Sequence, residues 1–194
     1  DAQAAPALRL YGRLKLEDEE RFATWATRDP ARLRVAIARI YSVSGPFINK
    51  HETYALASFI LAVLSERLAE VTATIPVYRS YVALRELLAL VFAILLGSEV
   101  SSEMRFDTGG EPLELGEVAQ VVAATLGGSH QRNDITQEGM NRYVGDHDNW
   151  RLLLARYGIE HLPLSDQIVE TANYLRAIGA TQGPRYGRQH DVEN

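Results

Sequence analysis

The segment from Arg34 to Tyr41 most constrains the fold, because it is apolar on both faces over the length of one strand. A strand that is buried on both sides is typical of a parallel sheet with helices above and below it. The turn from Ser42 to Pro46 follows at once. Open α/β sheets bind ligands beyond the carboxyl ends of their strands, so the sequence predicts an α/β fold with a candidate binding site at this turn.

The remaining elements follow from apolar periodicity and from turn residues. Helices are predicted from about Leu8 to Thr27 and at 53–67, 84–96, 115–126, 147–157 and 165–178. Short strands are predicted at 70–75 and 104–108, and a polar, mobile loop at 127–141. We expect residues 1–194 to form a single piece, with a flexible polar tail at 181–194.

Composition narrows the class of protein. The net charge of −5 gives no broad basic field for a nucleic acid, and the absence of cysteine excludes disulfides and thiolate metal sites. The apolar run from Leu87 to Leu96 is ten residues long, too short to span a membrane. No signal peptide is recognisable, so we expect a cytoplasmic protein.

Tyr11 and Lys15 lie four residues apart and therefore share one face of the first predicted helix. An ammonium group beside a phenol favours the phenolate and lowers the pKa of the phenol, which is what a proton-transfer pair needs. The lysine could also donate hydrogen bonds to a ribose. The alternative is an ordinary pair on a solvated helix face.

Five features occur in a set order: the Tyr11–Lys15 motif, the strand, the turn at 42–46, the segment at 79–82, and the Asp-Thr-Gly-Gly stretch at 107–115. This order resembles the extended short-chain dehydrogenase/reductase family of NAD-dependent sugar-nucleotide epimerases and dehydratases. The Gly-rich turn that binds the dinucleotide pyrophosphate in that family is absent. The chain therefore resembles the C-terminal half, the end of a Rossmann-type domain plus a small α/β substrate-binding lobe.

The resemblance implies roles for the residues before and after the strand. Tyr11 would be the general acid/base, and Lys15 would hold the nicotinamide ribose and keep the tyrosine acidic, so both would be catalytic and cofactor-binding. Tyr41, Ser42 and Val43 would lie against the nicotinamide. Ser42 would also reach the substrate sugar, in place of the asparagine that is usual there. The alternative for these three is a simple strand-to-loop turn.

Two arginines are implied as substrate-binding residues. Arg79 would grip the nucleotide diphosphate, and Ser80 replaces the usual aspartate that follows it. The alternative is a surface ion pair between Arg79 and a neighbour such as Glu86. Arg142 would lie near the substrate phosphates, and an ion pair with Asp146 is the alternative.

Other charged or apolar groups are expected to be structural. His147 and Asp148 suggest a metal ligand set, but no second histidine lies at a ligand spacing, so no metal site is predicted. The acidic run at 17–20 is expected to be a solvated helix face. The aliphatic stripe at 56–64 is expected to be core or interface.

The function that the resemblance implies is NAD(P)-dependent epimerisation, dehydration or reduction of a nucleotide sugar, with NAD or NADP as the hydride carrier. The helix with Phe22 and Trp25 would form part of a dimer seam, so a homodimer or association with an N-terminal half is expected. The rival interpretation is a non-catalytic half-domain that binds a partner or completes a fold. The sequence leaves the sugar and the choice between NAD and NADP open.

Overall fold

The computed structural model describes residues 6–29, 32–97 and 102–180, and the predicted tail at 181–194 lies outside these ranges. The helices are α1 (Pro6–Ala26), α2 (Ala55–Leu64), α3 (Leu84–Leu96), α4 (Leu115–Leu126), α5 (His147–Arg156) and α6 (Leu164–Ala177). The strands are β1 (Val35–Arg39), β2 (Val43–Ser44), β3 (Ala69–Val71), β4 (Val77–Ser80), β5 (Val82–Ala83), β6 (Glu103–Asp107), β7 (Pro112–Glu114), β8 (His130–Arg132) and β9 (Asn141–Tyr143). None of the helices in these ranges combines the length and the apolar character needed to cross a bilayer.

Strand β1 pairs in parallel with β6, from Val35 opposite Glu103 to Arg39 opposite Asp107. Alternate β1 side chains face opposite ways. Val35 and Ile37 pack on α1, whereas Ala36 and Ala38 pack toward α3 and α5. The prediction of a parallel-sheet strand covered on both faces is therefore confirmed.

The second half of α1 is attached to this sheet by packing and by charge. Ala23 and Ala26 are buried against β1. The Arg39 guanidinium donates two hydrogen bonds to Glu19, at 3.0 and 2.8 Å, and Arg105 Nη1 donates one to Glu20 at 2.7 Å. The hydrogen bond from Arg39 holds the pKa of Glu19 below its usual value. The expectation that the run at 17–20 is a solvated helix face was wrong for Glu19, whose side chain is only 14% exposed, and it holds for Glu20, whose side chain is 69% exposed.

The larger core lies among α2, α4 and α6, which pack around the parallel pair β3–β8. Leu56, Phe59, Ile60 and their neighbours on α2 are buried there, so the aliphatic stripe at 56–64 is core. Strand β8 lies within the segment predicted as a loop at 127–141. His130, Gln131 and Arg132 carry no apolar alternation, and the strand exists through backbone pairing with β3.

A small mixed sheet has β4 at its centre, antiparallel to β7 and parallel to β9. The parallel register places Arg79 opposite Tyr143 and Tyr78 opposite Arg142. A further two-residue pair, β2 with β5, joins the turn after β1 to the segment after β4. This sheet and this pair bring residues that are far apart in sequence to the end of β1.

Glu114 joins β4, α4 and β8 through one carboxylate. Its oxygens accept hydrogen bonds from Gly116 N at 2.6 Å and Val77 N at 3.2 Å, and they form an ion pair with Arg132 at 3.2 Å. Burial raises the pKa of Glu114, but the hydrogen bonds from Gly116, Val77 and Arg132 outweigh it and hold that pKa below its usual value. The carboxylate therefore stabilises the folded state in its ionised form.

We expect Glu114→Gln to lower the free energy of unfolding by about 1–3 kcal/mol at neutral pH, because a charged hydrogen-bond acceptor is lost. The folded-state pKa lies below the unfolded value of about 4.3, so the stabilisation is fully present above that value and is lost as pH falls through the folded pKa. Urea denaturation at pH 7 and pH 3.5 should show the difference between wild type and variant shrinking in acid.

Glu138→Gln is the matched control, since Glu138 is exposed and makes no contact of this kind in the described ranges. It should change the free energy of unfolding by less than about 0.5 kcal/mol. Equal midpoints for the two glutamine variants would contradict the role given to Glu114.

Candidate functional site

A cleft of about 670 Å³ lies beyond the carboxyl end of β1. It is lined by the turn at 40–49, by the start of α2 and the residues before it at 53–57, and by Arg79, Tyr143 and Thr171. Its position is the one in which open α/β sheets bind ligands. The structure thus brings Tyr41, Ser42, Val43 and Arg79, which were predicted from separate motifs, into one cleft.

Tyr41 is held at the end of β1 from two sides. Its backbone N–H donates to Thr108 Oγ1 at 3.1 Å, and its ring lies 4.8 Å from the ring of Tyr143, centroid to centroid. Burial raises the pKa of Tyr41, and the nearby charge of Asp107 raises it further, with Arg39 opposing them. The phenol is therefore protonated at neutral pH and can donate a hydrogen bond to a ligand.

The turn that carries Ser42 is attached to β5 and α6. Its Ser42 carbonyl accepts a hydrogen bond from β5 at 3.1 Å, Ser44 Oγ donates to Gln167 Oε1 at 2.6 Å, and Gly45 N donates to Thr171 Oγ1 at 2.9 Å. Gly45 has φ +117°, a conformation that favours glycine. These buried bonds give the turn a defined shape before any ligand binds.

Gln167 and Thr171 were not among the predicted site residues. They lie four residues apart on the buried face of α6. A polar pair at this spacing on an otherwise apolar helix face was the available signal, because buried polar groups need partners. Tyr143 was missed as well, and its position follows only from the pairing of β9 with β4.

Arg79 lines the cleft, and its Nη1 donates to Tyr78 O at 2.7 Å and to Asn141 Oδ1 at 3.0 Å. Its Nε and Nη2 have no hydrogen-bond acceptor within the described residues, so they can bind a ligand. The alternative ion pair with Glu86 does not form. Glu86 is buried, and its carboxylate accepts a hydrogen bond from Ala83 N at 3.2 Å.

Arg142 lies outside the lining of the cleft. Its guanidinium carbon is 5.7 Å from the ring centroid of Tyr78. The alternative ion pair with Asp146 does not form either, because Asp146 caps α5 by accepting a hydrogen bond from Asn149 N at 3.0 Å. A substrate-binding role for Arg142 stays a prediction, and its neighbour Tyr143 is the residue that faces the cleft.

Tyr11 and Lys15 are close together, with Lys15 Nζ 5.8 Å from the ring centroid of Tyr11. Both lie on the exposed first half of α1, and neither belongs to the residues that line the cleft. The predicted sharing of one helix face is confirmed. Their catalytic role stays a prediction.

Close backbone contacts explain the glycines next to the cleft. A Cβ atom at Gly110 would lie 1.9 Å from Tyr81 O, and one at Gly145 would lie 1.8 Å from Thr108 O. Ser80, which stands in place of the expected aspartate, is buried and accepts a hydrogen bond from Gly145 N at 3.1 Å. The cleft therefore rests on segments packed backbone against backbone.

We expect Gly110→Ala to lower the free energy of unfolding by about 1–3 kcal/mol, because the added methyl group must displace the backbone of Tyr81. Gly12→Ala is the control, since Gly12 lies in α1 with nothing within 4 Å of its would-be Cβ. It should stabilise the chain by about 0.5–1 kcal/mol. Thermal unfolding of both variants checks the pair, and shifts in the same direction would contradict the close packing described here.

Solved structures share the fold of this chain. A UDP-glucose 4-epimerase from Stenotrophomonas maltophila, with bound NAD and formylated UDP-arabinopyranose, matches with a TM-score of 0.65 at 18% identity, over 88% of this chain and 55% of that chain. A UDP-glucuronic acid 4-epimerase from Bacillus cereus in complex with NAD matches with a TM-score of 0.63 at 15% identity, over 88% and 51%. RMD from Pseudomonas aeruginosa, complexed with NADPH, matches with a TM-score of 0.61 at 17% identity, over 84% and 54%.

These matches confirm the α/β fold class and show a likeness of fold to NAD-dependent nucleotide-sugar epimerases. The chain spans about half the length of the solved structures it matches. No protein-family profile matches the sequence, and no curated protein matches it.

Proposed function

We propose that this chain forms the substrate-binding half of an NAD(P)-dependent epimerase/dehydratase or reductase that acts on a nucleotide sugar. One observation carries the proposal. The cleft beyond β1 brings together Tyr41, Ser42, Val43 and Arg79. The proteins with the same fold, named above, were solved with NAD or NADPH, and one of them also with a nucleotide sugar.

The cleft offers the groups that a nucleotide sugar needs. The free Nε and Nη2 of Arg79 present a planar pair of donors, which suits a diphosphate. The Ser42 hydroxyl and the protonated Tyr41 phenol are hydrogen-bonding groups for sugar hydroxyls. The Phe47 ring and the Tyr54 ring add apolar surface at the same cleft. The cleft therefore offers a positive charge for the diphosphate, and hydrogen-bonding groups and apolar surface for the rest of the nucleotide sugar.

The residues present fit one end of a dinucleotide. The uncharged turn at 41–43 lines an open cleft and can lie against a nicotinamide ring. None of the helices α2 to α6 begins at a Gly-rich turn that follows a strand, so the pyrophosphate has no such site on them. When the dinucleotide is bound, its nicotinamide ring supplies hydride transfer. We propose that a segment outside this sequence holds the phosphates of the dinucleotide.

The Tyr11–Lys15 pair supplies the proton transfer in this proposal. The Tyr11 phenol moves a proton to or from the reacting sugar hydroxyl, and the Lys15 ammonium stabilises the phenolate form and can hold a ribose. Lys15 Nζ lies 5.8 Å from the centroid of the Tyr11 ring, which is within the range of a cation–π contact. Closure of the site requires the first half of α1 to face the cofactor.

The free edge of β1 supports association with a further segment or a second copy. Val35 N donates to Ser102 O, and Arg39 O accepts from Thr108 N, so the odd-numbered residues of β1 bond to β6. The backbone groups of Ala36 and Ala38 therefore point to the other edge, which no strand in the described ranges covers. The exposed Tyr11, Leu14, Phe22 and Trp25 on α1 add apolar surface, and we propose pairing with an N-terminal half or a homodimer.

Arg79→Ala tests the binding half of the proposal on this chain alone. We expect it to weaken the binding of UDP, used as the probe, by at least ~10-fold, since a charge-assisted hydrogen bond contributes about 1.5–3 kcal/mol. Isothermal titration calorimetry measures the change. Arg67→Ala is the matched control, since Arg67 is exposed and lies outside the lining of the cleft, and it should bind UDP like the wild type. Unchanged binding in the Arg79 variant would contradict the cleft assignment.

Tyr11→Phe tests the catalytic half, in the chain joined to or mixed with its N-terminal half. We expect turnover to fall by at least ~100-fold with substrate binding unchanged, the usual scale for a lost general acid/base. Tyr78→Phe serves as the control, because Tyr78 lies on β4 and outside the lining of the cleft. Normal turnover in the Tyr11 variant would reject the assigned role. A complete protein that binds substrate but never turns it over would favour the non-catalytic interpretation.

A further inference from the structure

A second cavity, of about 300 Å³, contains two histidines on different elements. His147 begins α5, and His161 lies just before α6. Their ring centroids are 5.8 Å apart, with the rings edge to face at 67°. Glu111 and Arg151 line the same cavity, whereas the turn at 40–49 does not.

Hydrogen bonds set the tautomer of each ring. His147 Nδ1 lies 3.2 Å from Gly109 O, and His161 Nδ1 lies 3.1 Å from Glu86 Oε1. Both partners are acceptors. The partner of His147 is a backbone carbonyl, and the partner of His161 is a carboxylate that also accepts a hydrogen bond from Leu162 N. Each Nδ1 therefore carries the proton, and a neutral ring then has its lone pair on Nε2.

Neither Nε2 atom is hydrogen-bonded within the described residues. Among these residues, the buried side-chain nitrogen and oxygen atoms that lack a partner are His51 Nδ1 and Trp150 Nε1. The two Nε2 atoms lack a partner but are not among these buried atoms, so they are accessible to solvent. The cavity thus presents two unpaired imidazole lone pairs with fixed tautomers. A carbonyl or a carboxylate on the opposite ring nitrogen is the arrangement that orients histidines in metal sites.

We propose that His147 and His161 bind one divalent late transition metal ion, such as Zn²⁺ or Ni²⁺, through their Nε2 atoms. Two imidazoles on one ion have ring centroids ~5–6.5 Å apart, because each metal–nitrogen bond is about 2.1 Å. The observed 5.8 Å falls within that range. Imidazole nitrogen is a preferred ligand for these ions.

The charges around the cavity set the strength of this site. The Glu111 carboxylate lines the cavity and favours a cation, whereas the exposed Arg151 guanidinium disfavours it. No group of three histidine, cysteine or carboxylate ligands exists in the described part of the chain, so water or a ligand completes the coordination. We therefore infer an open site of modest affinity.

The sequence predicted no metal site, because it offered no second histidine at a ligand spacing. His161 is distant from His147 in the chain, and the two meet only because α5 and α6 pack near the Thr108–Glu111 segment. The spatial pair, rather than a sequence motif, carries the inference. It does not depend on the proposed nucleotide-sugar function.

The test is a titration of the untagged full-length chain with NiCl₂ or ZnCl₂, followed by calorimetry. Ni²⁺ should also quench the fluorescence of Trp150, which lies one helical turn after His147. A Trp25→Phe background leaves Trp150 as the reporter, since the chain has two tryptophans. We expect saturable binding of one ion with parallel quenching.

His147→Asn and His161→Asn remove Nε2 but keep an amide donor near the position of Nδ1. Each should weaken metal binding by at least ~10-fold, while His130→Asn, the matched control on β8, should not. Wild-type affinity in both variants, or no saturable binding below ~1 mM, would overturn the proposal.

Arg151→Gln provides a check that does not rely on the histidine variants folding well. Removing this positive charge should strengthen binding of the metal ion, because like charges repel. A site built for an anion would respond in the opposite direction, by losing affinity for phosphate. Weaker metal binding in the Arg151 variant would therefore contradict the cation site.

Discussion

The parallel pairing of β1 with β6 is the contact on which the rest of this structure depends. It ends with Thr108 beside Tyr41, where Thr108 N donates to Arg39 O at 2.9 Å and Thr108 Oγ1 accepts from Tyr41 N at 3.1 Å. Thr108 is buried, so these hydrogen bonds form away from water and fix the points at which β1 and β6 leave the sheet. Tyr41 lines the large cleft, and the segment after Thr108 leads to Glu111, which lines the histidine cavity.

The four residues from Thr108 to Glu111 connect the two cavities. Thr108 supports the turn of the large cleft, the Gly109 carbonyl orients His147, and Glu111 lines the smaller cavity. Tyr81 borders both cavities, and burial raises its pKa to about 12, so the phenol stays neutral. Because Gly109 and Gly110 leave no room for a Cβ, this connection is backbone against backbone and resists displacement.

The sequence predicted the long and strongly apolar elements well, and the reason is local. The bounds of α3 and α4 match the predicted ones, since apolar periodicity and helix-forming residues determine them. Six strands were missed because they are two to four residues long and are stabilised by pairing with distant backbone, namely β2, β4, β5, β7, β8 and β9. A segment that short carries no periodicity to detect.

The same distinction applies to the site. Four of the predicted residues line the cleft, and each of them belongs to a motif that is contiguous in sequence, namely Tyr41, Ser42, Val43 and Arg79. The groups that the motifs did not contain, the buried Gln167 and the histidine pair, act through partners far along the chain. The role of a side chain that depends on a distant partner cannot be predicted from sequence separation alone, because the distance that matters is the one in the folded structure.

The attachment of α1 decides what the Tyr11–Lys15 pair can reach. Its contacts with the sheet lie in its second half, at Glu19 and at the buried Ala23 and Ala26. Tyr11 is eight residues before Glu19, ~12 Å along a helix that rises 1.5 Å per residue. The pair therefore lies in the N-terminal half of α1. The exposed side of that half, which includes Leu14, has no cover in the described part of the chain. Under the proposed function, whatever packs against that side would determine how the pair is presented to a ligand, so a complete site would require α1 to be covered.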